Sequence, residues 1–339
     1  MAFDRLNRIG VLLCGILVLA SVQPAVGEGS EAWPVKHRLL GKHGAKSLDI
    51  SGIACTTPDG FPRSCVVIDD NSQKAQFVRL KDGELVAGET IKLVDNRFGG
   101  ERLELDGEGV AFANGFYYVA GSHGHPRDKK HKLDPVRDAE EIAARIAASS
   151  QIVRFKPDEQ NSAANGLQRT ARLRDIIAAE PALAPFLDRR LEKNGLTIEG
   201  VAVTADQTML VGFRGPVLED TQAVILAVRI DTLFGGSGTD HRVFRLSLGQ
   251  GRGIRDLAVF ENSVLILAGP VADGPGRYAI YSWNGNSTEV ELLKELPFVP
   301  ERKPEGLLPL DKNASGLRVL ILFDGDEEGS PTPVIVPMR

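Results

Sequence analysis

A short motif, a polar residue followed by a small residue and then apolar ones, recurs five times in this chain and ties it to a repeat architecture. It reads Ser51-Gly52-Ile53-Ala54, Glu108-Gly109-Val110-Ala111, Glu199-Gly200-Val201-Ala202, Arg255-Asp256-Leu257-Ala258 and Glu305-Gly306-Leu307-Leu308. Counted at residues 51, 108, 199, 256 and 305, the starts lie 57, 91, 57 and 49 residues apart. Repeats near this length that are built of short strands predict a β-propeller, and only the longest interval needs an insertion.

Each motif runs into an apolar strand, a turn and a second strand. Val110 to Phe112, Asn114-Gly115 and Phe116 to Ala120 form the clearest hairpin, because Asn-Gly supplies the left-handed turn that twisted strands need. Two further strands follow in most units, for example Ala223 to Ile230 and Arg242 to Leu246. The expected fold is all-β, a five-bladed β-propeller with six blades as the alternative count. Val334 to Pro337 supplies part of a last blade that Val35 to Leu40 could complete, closing the ring and removing a sheet edge. Helical periodicity in Asp134 to Ser149 and Ala171 to Lys193 predicts a helical insertion at about 134–193, between the second and third blades.

Arg5 and Arg8, the apolar run Ile9 to Val22 and the small residues Ala25-Val26-Gly27 read as a signal peptide over residues 1–27. Residues 28–339 then form a single propeller domain, exported to the periplasm or secreted, with no membrane span after cleavage. Loss of Asp4, Arg5 and Arg8 takes the formal charge from −5 to −6, which argues against a nucleic-acid partner. Cys14 leaves with the signal. In an oxidising compartment Cys55 and Cys65, separated by a turn-rich segment, are expected to form a disulfide across a hairpin.

In a propeller the residue that opens each inner strand and the residue that ends the second strand share one face. Ser51, Glu108, Glu199, Asp256 and Glu305 should therefore ring one mouth of the central channel, joined by Asp69-Asp70-Asn71, Ser122-His123, Arg214, Pro270 and Asp324. Carboxylates gathered there repel one another unless a cation or arginines compensate. A metal set of Glu108, Glu199 and Glu305 would suit a hard divalent cation, calcium first. Arg214, Arg255 and Ser122 are the candidate ligand-binding residues for an anionic small molecule. Glu199, Asp256 and His123 are the candidate catalytic residues. The plainer alternative is that the motif acids accept backbone N–H bonds where a blade begins.

Other motifs fail. Ala120-Gly121-Ser122-His123-Gly124 lacks the first glycine of a nucleophile elbow. Gly44-Ala45-Lys46-Ser47 puts alanine where a P-loop needs glycine beside lysine, and Gly249 to Gly253 precedes no helix, so neither nucleotide nor flavin is expected. His123, His125 and His131, among Arg127, Lys129, Lys130 and Lys132, match no zinc spacing.

Gly121-Ser122-His123, Ile198-Glu199-Gly200, Gly212-Phe213-Arg214-Gly215-Pro216, Gly253-Ile254-Arg255-Asp256-Leu257, Leu267-Ala268-Gly269-Pro270 and Pro304-Glu305-Gly306 together resemble domain-of-unknown-function family 3616, a group of exported bacterial proteins. The resemblance implies a periplasmic address but no activity. At fold level the chain is similar to esterase-like phytase propellers and, more distantly, to calcium-dependent lactonase propellers. That similarity implies a metal-assisted phosphoric-ester hydrolase. A non-catalytic envelope propeller that binds a ligand or protein, and a calcium-dependent lactonase or esterase, are the rival readings.

Overall fold

Strand by strand, burial falls from the axis outward. Thr197–Val203 is buried at every residue, whereas His241–Ser247, three strands further out in the same sheet, buries only Phe244 and Leu246. This is the pattern of sheets packed on both faces near a hub and wetted at their rims. The computed structural model describes residues 1, 31–127, 133–236, 238–272, 274 and 276–338, and the chain from Glu31 onward forms one compact unit. The signal reading over residues 1–27, and Lys129, Lys130, His131 and Lys132 of the basic loop, lie outside the described residues. Among the described residues no helix is long and apolar enough to cross a membrane.

Five sheets make five blades, as the motif count requires. From the axis outward, blade 1 holds Ile50–Cys55, Arg63–Asp69, Lys74–Lys81, Glu84–Lys92 and Val35–Lys36. Blade 2 holds Gly107–Ala113, Phe116–Gly121, Ile152–Pro157 and Ala164–Thr170. Blade 3 holds Thr197–Val203, Thr208–Leu218, Gln222–Arg229 and His241–Ser247, and blade 4 holds Arg252–Phe260, Ser263–Pro270, Ala279–Trp283 and Val290–Glu295. Blade 5 has three strands, Lys303–Asn313, Gly316–Asp324 and Thr332–Val336. Each innermost strand packs against the next, and Lys303–Asn313 packs back on Ile50–Cys55, so the ring is closed. A separate core of buried side chains fills each of the five gaps between neighbouring blades.

Three features differ from the sequence expectation. Val35–Lys36 does not complete the last blade but pairs in parallel with Leu85-Val86 on the outside of blade 1. The strand stops after two residues because His37 and Arg38 take positive φ values of 67° and 135° and turn the chain away. Blade 5 is tied to this N-terminal segment by turns instead, through Trp33 N–H to Pro331 O at 2.6 Å and Glu328 N–H to Ser47 O at 2.8 Å. The helical material is also not one block. Helix Ala139–Ser149 lies inside blade 2, between its second and third strands, and helix Arg172–Ala179 follows its fourth; the two outer strands of blade 2 occupy the interval between them. Third, the fourth repeat is offset by one residue, as shown below.

Cys55 and Cys65 are bonded to each other and sit opposite one another in the first hairpin of blade 1, as expected.

Candidate functional site

Every inner strand carries one extra residue against its partner. Ile50 and Gly52 face the consecutive residues Asp69 and Ile68, and the same skip recurs at Gly107/Gly109, Ile198/Gly200, Ile254/Asp256 and Pro304/Gly306. The residues left over are Ser51, Glu108, Glu199, Arg255 and Glu305. A β-bulge frees a side chain from the alternation of the strand and re-aims it. The counterpart of the motif acids in blade 4 is therefore Arg255, and the true intervals are 57, 91, 56 and 50 residues. All five side chains are buried, with exposures between 1% and 6%.

The glycine after the bulge has a mechanical cause. A Cβ on Gly109 would lie 2.9 Å from the Glu199 carbonyl oxygen, and one on Gly200 would lie 2.9 Å from the Asp256 backbone, so neighbouring hub strands touch there. In blade 4 Asp256 stands in place of glycine and bridges instead. Its Oδ1 accepts from Leu257 N–H at 2.8 Å and its Oδ2 from Leu307 N–H of blade 5 at 2.7 Å. Both oxygens thus accept from backbone, which is the plain role weighed for the motif acids.

The mouth divides into two halves. Across blades 3 to 5 runs a chain of ion pairs: Arg214 Nη1 to Glu199 Oε1 at 2.9 Å, Arg255 Nε to Glu199 Oε2 at 2.9 Å, and Arg255 Nη2 to Glu305 Oε1. Arg214 Nε also donates to Val271 O at 2.8 Å. Burial opposes the Arg255 charge, but Glu199 and Glu305 outweigh it and its pKa is raised. The two arginines offered by sequence as anion ligands are here held by carboxylates.

The other half, on blades 1 and 2, holds the acids Asp70, Asp106 and Glu108. One carboxylate oxygen from each lies within 4.8 Å of the others. Burial, then the neighbouring carboxylates, raises the pKa of Glu108 and of Asp70 well above the ordinary range; Asp106 is raised by burial, with Ser122 opposing. Ser122 Oγ donates to Asp106 Oδ2 and Ser122 N–H to Asp106 O at 2.8 Å, so Ser122 positions Asp106. His123 is buried, its Nδ1 3.0 Å from Gly121 O, and burial pushes its pKa down to about 4. It does not line the mouth.

Above both halves opens a depression of about 1660 Å³. Glu108, Glu199, Glu305 and Arg214 line it, with Asp70 and Asp324 from the expected second-strand ends; Ser51, Ser122, His123, Arg255 and Asp256 do not. Its walls include Glu141 and Arg145 of helix Ala139–Ser149 and the small hairpin Arg97–Phe98/Glu101–Arg102. Charge inverts with depth. Among the described residues, the exposed charged ones around the depression are six lysines and arginines and one glutamate, whereas the buried and half-buried ones are nine carboxylates and three cations. The sequence reasoning passed over Asp106. Its signal was the run Asp106-Gly107-Glu108-Gly109, two acids two residues apart at the opening of an inner strand.

A second, smaller cavity of about 200 Å³ is lined by residues of all five inner strands, from Ile53 to Pro309, together with Thr56, Thr57, Pro58 and Arg63.

A family model described as "Protein of unknown function (DUF3616)" matches residues 68–331. No curated protein matches the chain by sequence. Among solved structures, the endo-arabinase from Bacteroides thetaiotaomicron VPI-5482 is similar at 12% identity, covering 90% of this chain and 98% of that one, with a TM-score of 0.43. A Bacteroides ovatus protein titled Xyloglucan PUL GH43B is similar at 9% identity, over 86% of this chain and 52% of its own, with a TM-score of 0.44. Trypanosoma rangeli sialidase is similar at 9% identity, over 89% and 58%, with a TM-score of 0.41. The chain thus spans about half the length of the last two.

Proposed function

The chain belongs to the DUF3616 family, and from the mouth of its propeller we propose that it is an exported protein that binds an anionic small molecule there, a phosphate ester, and hydrolyses it. The observation that carries this reading is the inversion of charge with depth. A cationic rim draws anions in and concentrates them. An acidic floor alone would then repel them, so the two layers are compatible with one ligand only when a hard cation lies between anion and floor. Such a cation supplies charge neutralisation at the phosphoryl oxygens.

The chain's own residues have separable parts. Lys74, Arg97, Arg102 and Arg127 hold the outer oxygens of the ester; Asp70 and Asp106, half-buried at the floor, are the carboxylates placed to hold the cation beneath it. Asp256 and His123 have no part in this reading, since one is bound to backbone through both oxygens and the other lies off the depression.

The test uses the protein from Glu28 onward, with thermal unfolding and phosphate release measured in calcium with inorganic phosphate, p-nitrophenyl phosphate and inositol phosphates. A ligand at a hundredfold excess over its dissociation constant adds about 2.7 kcal/mol of stability. The double reversal Arg97→Glu/Arg102→Glu, at two exposed positions, should abolish the shift while leaving the unliganded melting temperature in place. Phosphate release from an ester supports hydrolysis, and a shift without release reduces the reading to a binding propeller. No shift with any of these compounds, or one indifferent to the rim reversal, refutes it.

A further inference from the structure

We infer that Asp70, Asp106 and Glu108 form a calcium site at the junction of blades 1 and 2, separate from the arginine-bound pair Glu199 and Glu305. Glu108 is 3% exposed, yet among the described residues its Oε1 is buried and has no hydrogen-bond partner. An orphaned carboxylate oxygen costs free energy that a ligand would return. Asn71 Nδ2 donates to Asp70 Oδ1 at 2.8 Å and Ser122 Oγ to Asp106 Oδ2. Each carboxylate is thereby oriented through one oxygen and keeps the other for a ligand.

The donor chemistry selects the ion. Calcium takes six to eight oxygen ligands in flexible geometry, whereas magnesium demands a near-ideal octahedron and gives up its water reluctantly. One carboxylate oxygen from each of the three acids lies within 4.8 Å of the others, close enough to share one ion. Three carboxylates fill only part of a shell of six to eight oxygens. The remaining positions face the depression that all three residues line, where water or the substrate's own oxygens complete the shell.

This inference shares the mouth with the proposed ester site but does not need it, because calcium is titrated in the absence of any phosphate. The protein is stripped with EDTA, and calcium binding is followed by calorimetry and by melting temperature, with terbium luminescence as a second readout. One saturable site is expected, with Glu108→Gln and Asp106→Asn each removing it. Glu108→Gln should fold, since glutamine keeps the shape of the side chain and adds no charge to a repelling cluster. Ser122→Ala, which frees the Asp106 carboxylate to turn and also removes the acceptor of Gly124 N–H at 3.1 Å, should weaken calcium by about tenfold or more, as loss of a supporting hydrogen bond does. Magnesium should bind more weakly than calcium. Absence of binding at about 10 mM calcium, tenfold above the weakest extracellular calcium modules, overturns the site; so does binding that survives in both Glu108→Gln and Asp106→Asn.

Discussion

Arg255→Met tests the logic of the mouth most sharply. The guanidinium is 1% exposed and meets two buried carboxylates, Glu199 at 2.9 Å through Nε and Glu305 through Nη2. Methionine fills much of the volume but leaves Glu305 without its cation, while Glu199 keeps Arg214. Breaking one buried pair costs about 3–5 kcal/mol, and the partial loss at Glu199 places this variant towards the upper end. Equilibrium urea unfolding of wild type, Arg255→Met, Glu305→Gln and the double variant closes a cycle. Arg255→Met/Glu305→Gln should regain more than half of the loss, because the stranded charge is gone. A cost for Arg255→Met below about 1 kcal/mol, the scale of an exposed pair, would refute the claim that these charges are buried and mutually dependent. A double variant worse than Arg255→Met would refute it equally.

Asp256→Asn should lower stability by about 1–3 kcal/mol, because an amide nitrogen cannot accept the second of the two N–H bonds, while calcium affinity and any phosphate release stay at wild-type levels; a selective loss of turnover would return Asp256 to the chemistry. In EDTA the stability should fall as pH rises from about 4, the ordinary carboxylate value, through about 7, the folded value of Asp69. Glu108 and Asp70, raised by burial, and Asp69, raised to about 7 by burial, stay protonated in the fold at pH values where the unfolded chain has released those protons, so the native state binds more protons and loses stability as they leave. Glu108→Gln should flatten that slope in melting temperature against pH, and an unchanged slope would exclude Glu108 as its source.

How much of this was legible in the sequence can be traced residue by residue. Gly109 and Gly200 gave away the hub because steric contact between blades leaves no room for a side chain, a constraint that repeats with the fold. Arg255-Asp256 broke the register because Asp256 solves the same contact with a carboxylate, so the acid drew attention away from the arginine that occupies the bulge. Ile152–Pro157 and Ala164–Thr170 were hidden between two helical stretches, since outer strands such as Ala164–Thr170 bury little and carry only a weak alternation. The cation set could not be read from spacing. Glu108, Glu199 and Glu305 are equivalent by repeat, and only side-chain geometry separates the one that meets no arginine among the described residues from the two that do.

The bulges explain how a regular scaffold carries irregular chemistry. A bulged residue takes no place in the pairing of its strand, so what stands at positions 51, 108, 199, 255 and 305 is indifferent to the hydrogen bonds of the blades. Three of those side chains, Glu199, Arg255 and Glu305, pair with one another instead. The propeller therefore behaves as two nearly independent layers of specification, one written in glycines and apolar strands that closes the circle, and one written in five residues that sets what the circle can hold.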